Sequence, residues 1–154
     1  MKYILRVCLI VILANIGRLN AQENTQANII ICIDGEIIKA LYLPKLEILD
    51  SNGVKKDINI SYVPGSLSMD NNDYRILRSQ DKFLLVFSIK DKDSGFRNYE
   101  IDAGKGWLAM SYIIVNIYNT DNKKYKNKLF PLPGKNYTFD LEYSGGQMLR
   151  PRKK

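Results

Sequence analysis

Histidine is absent from the 154 residues, and this absence excludes more than any residue present. Without imidazole there is no Ser-His-Asp or Cys-His catalysis, no histidine-ligated zinc and no histidine pH switch. Cysteine is nearly absent: the chain has only Cys8 and Cys32. Cys8 lies in the apolar N-terminal segment, so a chain that loses that segment keeps one thiol, cannot form an internal disulfide, and depends on packing for its stability. Cys32, inside the apolar run Ile29-Ile30-Ile31-Cys32-Ile33, reads as a small buried hydrophobe with no histidine to activate it. The N-terminal apolar run is only eight residues, Val7-Cys8-Leu9-Ile10-Val11-Ile12-Leu13-Ala14. A membrane-crossing helix needs about 20.

That short run has the flanks of an export signal. Lys2 and Arg6 precede it, Asn15, Gly17 and Arg18 end it, and Leu19-Asn20-Ala21 supplies a small residue before Gln22. The expectation is a signal peptide over residues 1–21, cleaved near Ala21, and a mature chain in the periplasm, at the cell surface or outside the cell. No cysteine follows the cleavage position, so lipid anchoring is not expected. The remaining chain of about 133 residues suits one domain with a real core.

The net charge of +7 divides in the same way. Lys2, Arg6 and Arg18 leave with the signal, and Arg150, Arg152, Lys153 and Lys154 sit in the last five residues, so the body between is neutral. A nucleic-acid partner would require Lys and Arg concentrated on the folded domain and is not expected. The Ala-Gln signal exit and the Ile-, Asn-, Lys- and Tyr-rich strands resemble small exported proteins of Bacteroidota-type bacteria, a likeness that implies no activity.

From residue 28 onward, short apolar β-branched runs alternate with turn residues, as in an antiparallel β-fold. Asp34-Gly35 suits a two-residue type I′ hairpin between strands over 28–33 and 36–43. Further strands are expected over 46–49, 54–62, 74–78, 82–90, 96–102, 112–118 and 136–144, with 63–72 irregular and the start of 107–118 open to a helix. Residues 22–27 read as a polar leader and 147–154 as a basic, solvated tail beyond a 28–146 domain. In the last strand Tyr137, Phe139, Leu141 and Tyr143 alternate with Thr138, Asp140 and Glu142, which predicts one buried and one wet face. The predicted fold is all-β, a single antiparallel β-sandwich of immunoglobulin-like or transthyretin-like kind, with a small β-barrel as the alternative.

Two clusters are candidate sites. Asp91-Lys92-Asp93-Ser94-Gly95 opens like a calcium loop, with Asp102 at its twelfth position, but the glycine falls one place early and no helices flank it. Asp91, Asp93 and Asp102 are therefore weak metal candidates beside the simpler reading of a solvated turn, as is the oxygen-rich Asp70-Asn71-Asn72-Asp73. No metal or cofactor is expected. The second cluster joins aromatic and basic residues: Tyr118, Lys123, Lys124, Tyr125, Lys126 and Lys128 form a candidate patch for a protein or glycan partner. The alternative there is that the tyrosines pack and the lysines keep the loop soluble. No catalytic motif emerges, so the expected function is an exported, non-catalytic β-sandwich that binds a protein or glycan. A secreted inhibitor or immunity-type protein is the alternative, and a small-ligand carrier or hydrolase, which would need a cavity between the sheets, is the third.

Overall fold

The structure, a computed structural model, describes residues 24–49, 53–91 and 95–153. The signal-peptide reading and Cys8 lie outside the described residues. In chain order the strands are β1 (Asn24–Ala27), β2 (Ile29–Ile33), β3 (Glu36–Ile37), β4 (Tyr42–Leu49), β5 (Lys55–Asn59) and β6 (Ser61–Val63). After β7 (Ser66–Asp70) come helix α1 (Asn71–Arg78), β8 (Lys82–Asp91) and β9 (Gly95–Gly104). A short 3-10 helix over Lys105–Ala109 leads into β10 (Ile113–Asn119), β11 (Tyr137–Tyr143) and β12 (Gly146–Met148). No helix among the described residues is long and apolar enough to cross a membrane.

The fold is all-β and sandwich-like, built from a five-stranded sheet of order β12-β11-β10-β2-β3, a four-stranded sheet of order β5-β4-β8-β9 and a small sheet of order β1-β7-β6. All neighbours are antiparallel except β2 and β10, which run parallel with Ile29 opposite Ile113. Parallel neighbours need a long crossover. Here the connection is the whole chain between them, which builds the four-stranded sheet and most of the small one. Alternation sets the core: β8 buries Phe83, Leu85 and Phe87, β9 buries Tyr99, Ile101 and Ala103, and β10 buries Ile113, Val115 and Ile117. The Asp34-Gly35 hairpin forms as expected, with φ of 55° and 95° and Ile33 opposite Glu36. Asp34 tolerates the left-handed region and Gly35 meets no Cβ penalty there.

Five segments depart from the expectations. Residues 54–62 are not one strand. β5 pairs with β4 and β6 pairs with β7, so the chain changes sheets at the buried Ile60. Residues 63–72 are not irregular: Pro64-Gly65 turns the chain into β7, with Gly65 at φ 88° and its N–H donating to Ile29 O at 3.0 Å. Residues 74–78 belong to a helix. Asp70 caps it by accepting from Asn72 N–H at 2.7 Å, Asp73 stands in its first turn, and Leu77 is buried; a cap of this kind outweighs the weak strand propensity of Tyr74 and Ile76. The strand expected over 36–43 stops after Ile37, and β4 begins at Tyr42. The polar leader contains β1, which pairs with β7.

The final strand and the tail also differ. Thr138 is 1% exposed and Asp140 2%, so the face of β11 expected to be wet is buried at these two residues and exposed at Glu142 alone. Instead of being released at Gly145-Gly146, the chain forms β12 along β11, with Met148 opposite Leu141. Arg150 N–H then donates to Asp140 Oδ1 at 2.7 Å, the Arg152 guanidinium pairs with Asp140 Oδ2, and Arg152 bridges to Leu129.

Three buried tyrosines tie the layers together. Tyr62 hydroxyl accepts from Ile31 N–H at 3.0 Å, and Tyr99 hydroxyl donates to Asn119 Oδ1 at 3.0 Å. Tyr137 hydroxyl accepts from Glu100 N–H at 2.7 Å and donates to Glu100 O at 2.9 Å. Burial pushes all three phenols up, Tyr99 to about 12 from 10.0. In the unfolded chain these groups lose protons near pH 10 while the folded chain keeps them, so stability is full below pH 10 and falls as pH rises toward 12. Urea melts at pH 9, 10 and 11 should show midpoints falling above pH 10. Tyr99→Phe should remove about one proton's worth of that slope.

Candidate functional site

Among the described residues, the acidic side chains of the calcium-like reading do not come together. Asp91 pairs with Arg97 at 3.1 Å, Asp93 lies outside the described residues, and Asp102 sits opposite Leu84 at the far end of the β8–β9 hairpin. Asp91 stands opposite Gly95, and the seven-residue span from there to Asp102 covers about 24 Å. No group of three or more His, Cys, Asp or Glu among the described residues is placed to hold a metal ion. Asp70 is engaged as a helix cap. Cys32 is half-buried, with its thiol pushed up by burial and then by Glu142, away from the reactive thiolate.

The aromatic–basic cluster is divided. Lys123, Lys124, Lys126 and Lys128 are exposed, whereas Tyr125 is buried and Tyr118 half-buried, their rings 5.1 Å apart. The returning tail covers them: the Arg152 guanidinium lies 5.6 Å from the Tyr118 ring centre, Lys153 N–H donates to Lys128 O at 2.9 Å, and Lys153 Nζ donates to Lys126 O at 2.8 Å. The tyrosines thus form the seat of the tail. Lys124 Nζ, 5.1 Å over the Tyr125 ring, caps that seat from the solvent side.

Three other places carry geometry that the sequence pattern does not reveal. At the hairpin end, a groove of about 600 Å³ is lined by Asp34, Asp91, Arg97, Asn119, Asp121 and Asn122 among others. Its polar groups are matched to one another. Asp34 accepts from Asn119 N–H at 2.9 Å, Asn119 Nδ2 at 3.0 Å and Asn122 Nδ2 at 3.1 Å. Arg97 spans Asp121 at 2.9 Å and Asp91 at 3.1 Å, and the Asp121 pairing holds its guanidinium firmly protonated. This network locks the first hairpin to the end of β10.

On the outer face of the four-stranded sheet, Tyr42 and Phe96 stack with ring centres 4.4 Å apart while 51% and 52% exposed. Beside them Leu43 is 73% exposed and adopts φ 47° at a β-bulge between Tyr42 and Lys45. Bulges with a left-handed residue ordinarily place glycine there, and the residue before a proline is restricted as well. A leucine in this conformation costs about 1–3 kcal/mol. The Leu43-Pro44 dipeptide is the sequence signal for this feature, but it becomes informative only once the φ angle is known.

The third place is a cleft of about 650 Å³ where the far end of the four-stranded sheet meets the β11–β12 edge. Phe83, Trp107, Phe139, Leu141 and Met148 form much of its wall, and Arg150 borders it. The Arg150 guanidinium lies 4.8 Å from the Phe139 ring centre, and its Nε is buried without a hydrogen-bond partner among the described residues. Glu47 on the rim is held below the usual carboxylate range by hydrogen bonds from Lys45 and then Lys55.

Comparison with protein-family models, curated proteins and solved structures finds no match. Any functional reading therefore starts from these geometries alone.

The docked tail yields a direct expectation. Deleting residues 151–154 removes the partner of a carboxylate that is almost wholly buried, so the variant should lose about 1–3 kcal/mol in urea denaturation. An unchanged midpoint would show that the tail contributes nothing to the fold.

Proposed function

We propose that the chain is an exported, non-catalytic β-sandwich whose task is to bind a partner protein through the Tyr42–Leu43–Phe96 surface. The observation that carries this reading is Leu43. An apolar side chain is held in solvent by a backbone conformation that disfavours it. Folding alone gives no reason for this arrangement, since glycine would relieve the strain and a polar residue would suit the exposure. Stacked aromatics next to an exposed aliphatic are the residue types that dominate protein interfaces. A protein fits better than a glycan because the surface is made of apolar side chains, and Ser88 and Asn98 nearby are engaged with each other, Ser88 Oγ donating to Asn98 Oδ1 at 2.7 Å. A sugar would need such groups free for its hydroxyls.

Export belongs to the same proposal and rests on the basic, apolar and small-residue order of residues 1–21. The chain expressed in a bacterium with a Sec pathway should be recovered outside the cytoplasm with Gln22 at its mature N-terminus, as read by mass spectrometry. A cytoplasmic product beginning at Met1 would overturn the export reading.

The binding surface is tested by Leu43→Gly combined with Phe96→Ser. Leu43→Gly exchanges the strain for the greater unfolded-state freedom of glycine and should leave stability unchanged or raised by up to about 2 kcal/mol. In photo-crosslinking with a probe near position 42, the parent should form one saturable protein adduct in the envelope or secreted fraction. The double variant should weaken that adduct at least tenfold. An undiminished adduct in the double variant, or binding only to a glycan array, would refute the proposal.

A further inference from the structure

The apolar cleft is separate from the Leu43 surface. Phe96 and Ala103 mark opposite ends of β9, seven residues and about 24 Å apart. A volume of about 650 Å³ lies within the range of small-molecule sites, which are mostly apolar with a few placed polar groups. Phe83, Trp107, Leu141 and Met148 supply the apolar wall, and the charges at its border decide what kind of ligand it suits.

Lys55 is matched by Glu47 at 3.1 Å, and Glu47 is also held by Lys45 at 2.8 Å. Arg150 is different. Its backbone N–H donates to one oxygen of Asp140, and Arg152 pairs with the other. Its guanidinium faces Phe139, pairs with no carboxylate among the described residues, and keeps a buried Nε without an acceptor. A buried donor without an acceptor is costly even on a half-exposed side chain, and an anion supplied from outside would offset that cost through charge-assisted hydrogen bonds to the guanidinium. Lys82 and Asp102, both exposed on the cleft border, offset one another in charge, which leaves Arg150 as the surplus cation.

We infer that this cleft binds a single-chain amphipathic carboxylate, with the hydrocarbon chain along Trp107, Phe83 and Leu141 and the carboxylate at Arg150. An uncharged chain would gain the apolar contact but leave Arg150 unmatched. A short polar carboxylate would find the charge without the wall.

Trp107 is the sole tryptophan in the sequence and lines the cleft, so its fluorescence reports occupancy directly. Dodecanoate, kept below its micelle concentration, should shift Trp107 emission saturably and raise the melting temperature. Dodecanol should bind at least tenfold more weakly, and acetate should give no response. Arg150→Leu keeps apolar cover over Phe139 and should lower dodecanoate affinity at least tenfold while leaving dodecanol unchanged. The comparison of dodecanoate with dodecanol on the unaltered chain holds even if that variant does not fold. No shift with dodecanoate, or equal affinity for dodecanol, would overturn the inference. Retained dodecanoate affinity in a folded Arg150→Leu chain would overturn the role given to Arg150. Leu43→Gly should leave all of these responses intact, so failure of this site and failure of the partner-binding surface are distinguishable.

Discussion

Strand β2 pairs in parallel with β10 along one edge, and its other edge is shared among three groups from elsewhere in the chain. Cys32 and Ile33 meet β3, Ile31 O accepts from Ile38 N–H at 2.9 Å, and the Ile31 N–H and Ile29 O are satisfied by Tyr62 hydroxyl and Gly65 N–H. A strand buried in this way cannot leave backbone groups unpaired without losing about 1–3 kcal/mol for each. That requirement organises the molecule. The β6–β7 hairpin must come close enough to deliver Gly65 and Tyr62, so the chain has to leave the four-stranded sheet at Ile60 and begin a second, smaller one. The parallel neighbour β10 in turn can reach β2 only after the chain has gone around through the four-stranded sheet.

Much of this architecture was legible in the sequence, because period-two alternation is a local property. Phe83, Leu85 and Phe87, then Ile113, Val115 and Ile117, are buried as their spacing requires. The turn over Asp34-Gly35 follows from two residues that accept positive φ. The departures share one cause, which is that they depend on partners distant in sequence. Ile58, Ile60 and Tyr62 continue one alternating pattern, and nothing local marks the change of sheet between them. Helix α1 is the exception, since Asp70 and Asp73 are a local start signal that the β-rich surroundings obscure.

The candidate sites were less legible for the same reason. Tyr118 and Tyr125 have the composition of a binding patch, but their environment is set by Arg152 and Lys153, which return from the end of the chain. The alternation in β11 correctly places Tyr137, Phe139 and Leu141 inward. It does not reveal that Thr138 and Asp140 on the opposite face are buried too, because Asp140 is engaged by the tail, whose charge alone suggests a solvated end. Asp140 becomes the anchor for that tail only when Arg150 and Arg152 are brought to it. Asp91 and Asp102 look close when counted along a loop but are separated by the length of a hairpin.

Local environments in the sandwich differ in how completely their costs are compensated, and this difference separates structural from functional features. Around Asp34, each carboxylate oxygen and amide is answered within the network, and the strained Asp34 backbone is repaid by three hydrogen bonds to its side chain. That network has little to gain from a ligand. Leu43 carries a similar backbone cost with no side-chain hydrogen bond in return, and Arg150 keeps a buried Nε without an acceptor and a guanidinium with no counter-ion among the described residues. A fold held together by well-matched β2, β10 and tyrosine contacts can tolerate both costs, each a few kcal/mol at most. Both would be lowered by something outside the chain: an apolar protein surface at Leu43 and an anion at Arg150. The residues with uncompensated costs are therefore stronger functional candidates than the acidic and aromatic clusters that stand out in the sequence.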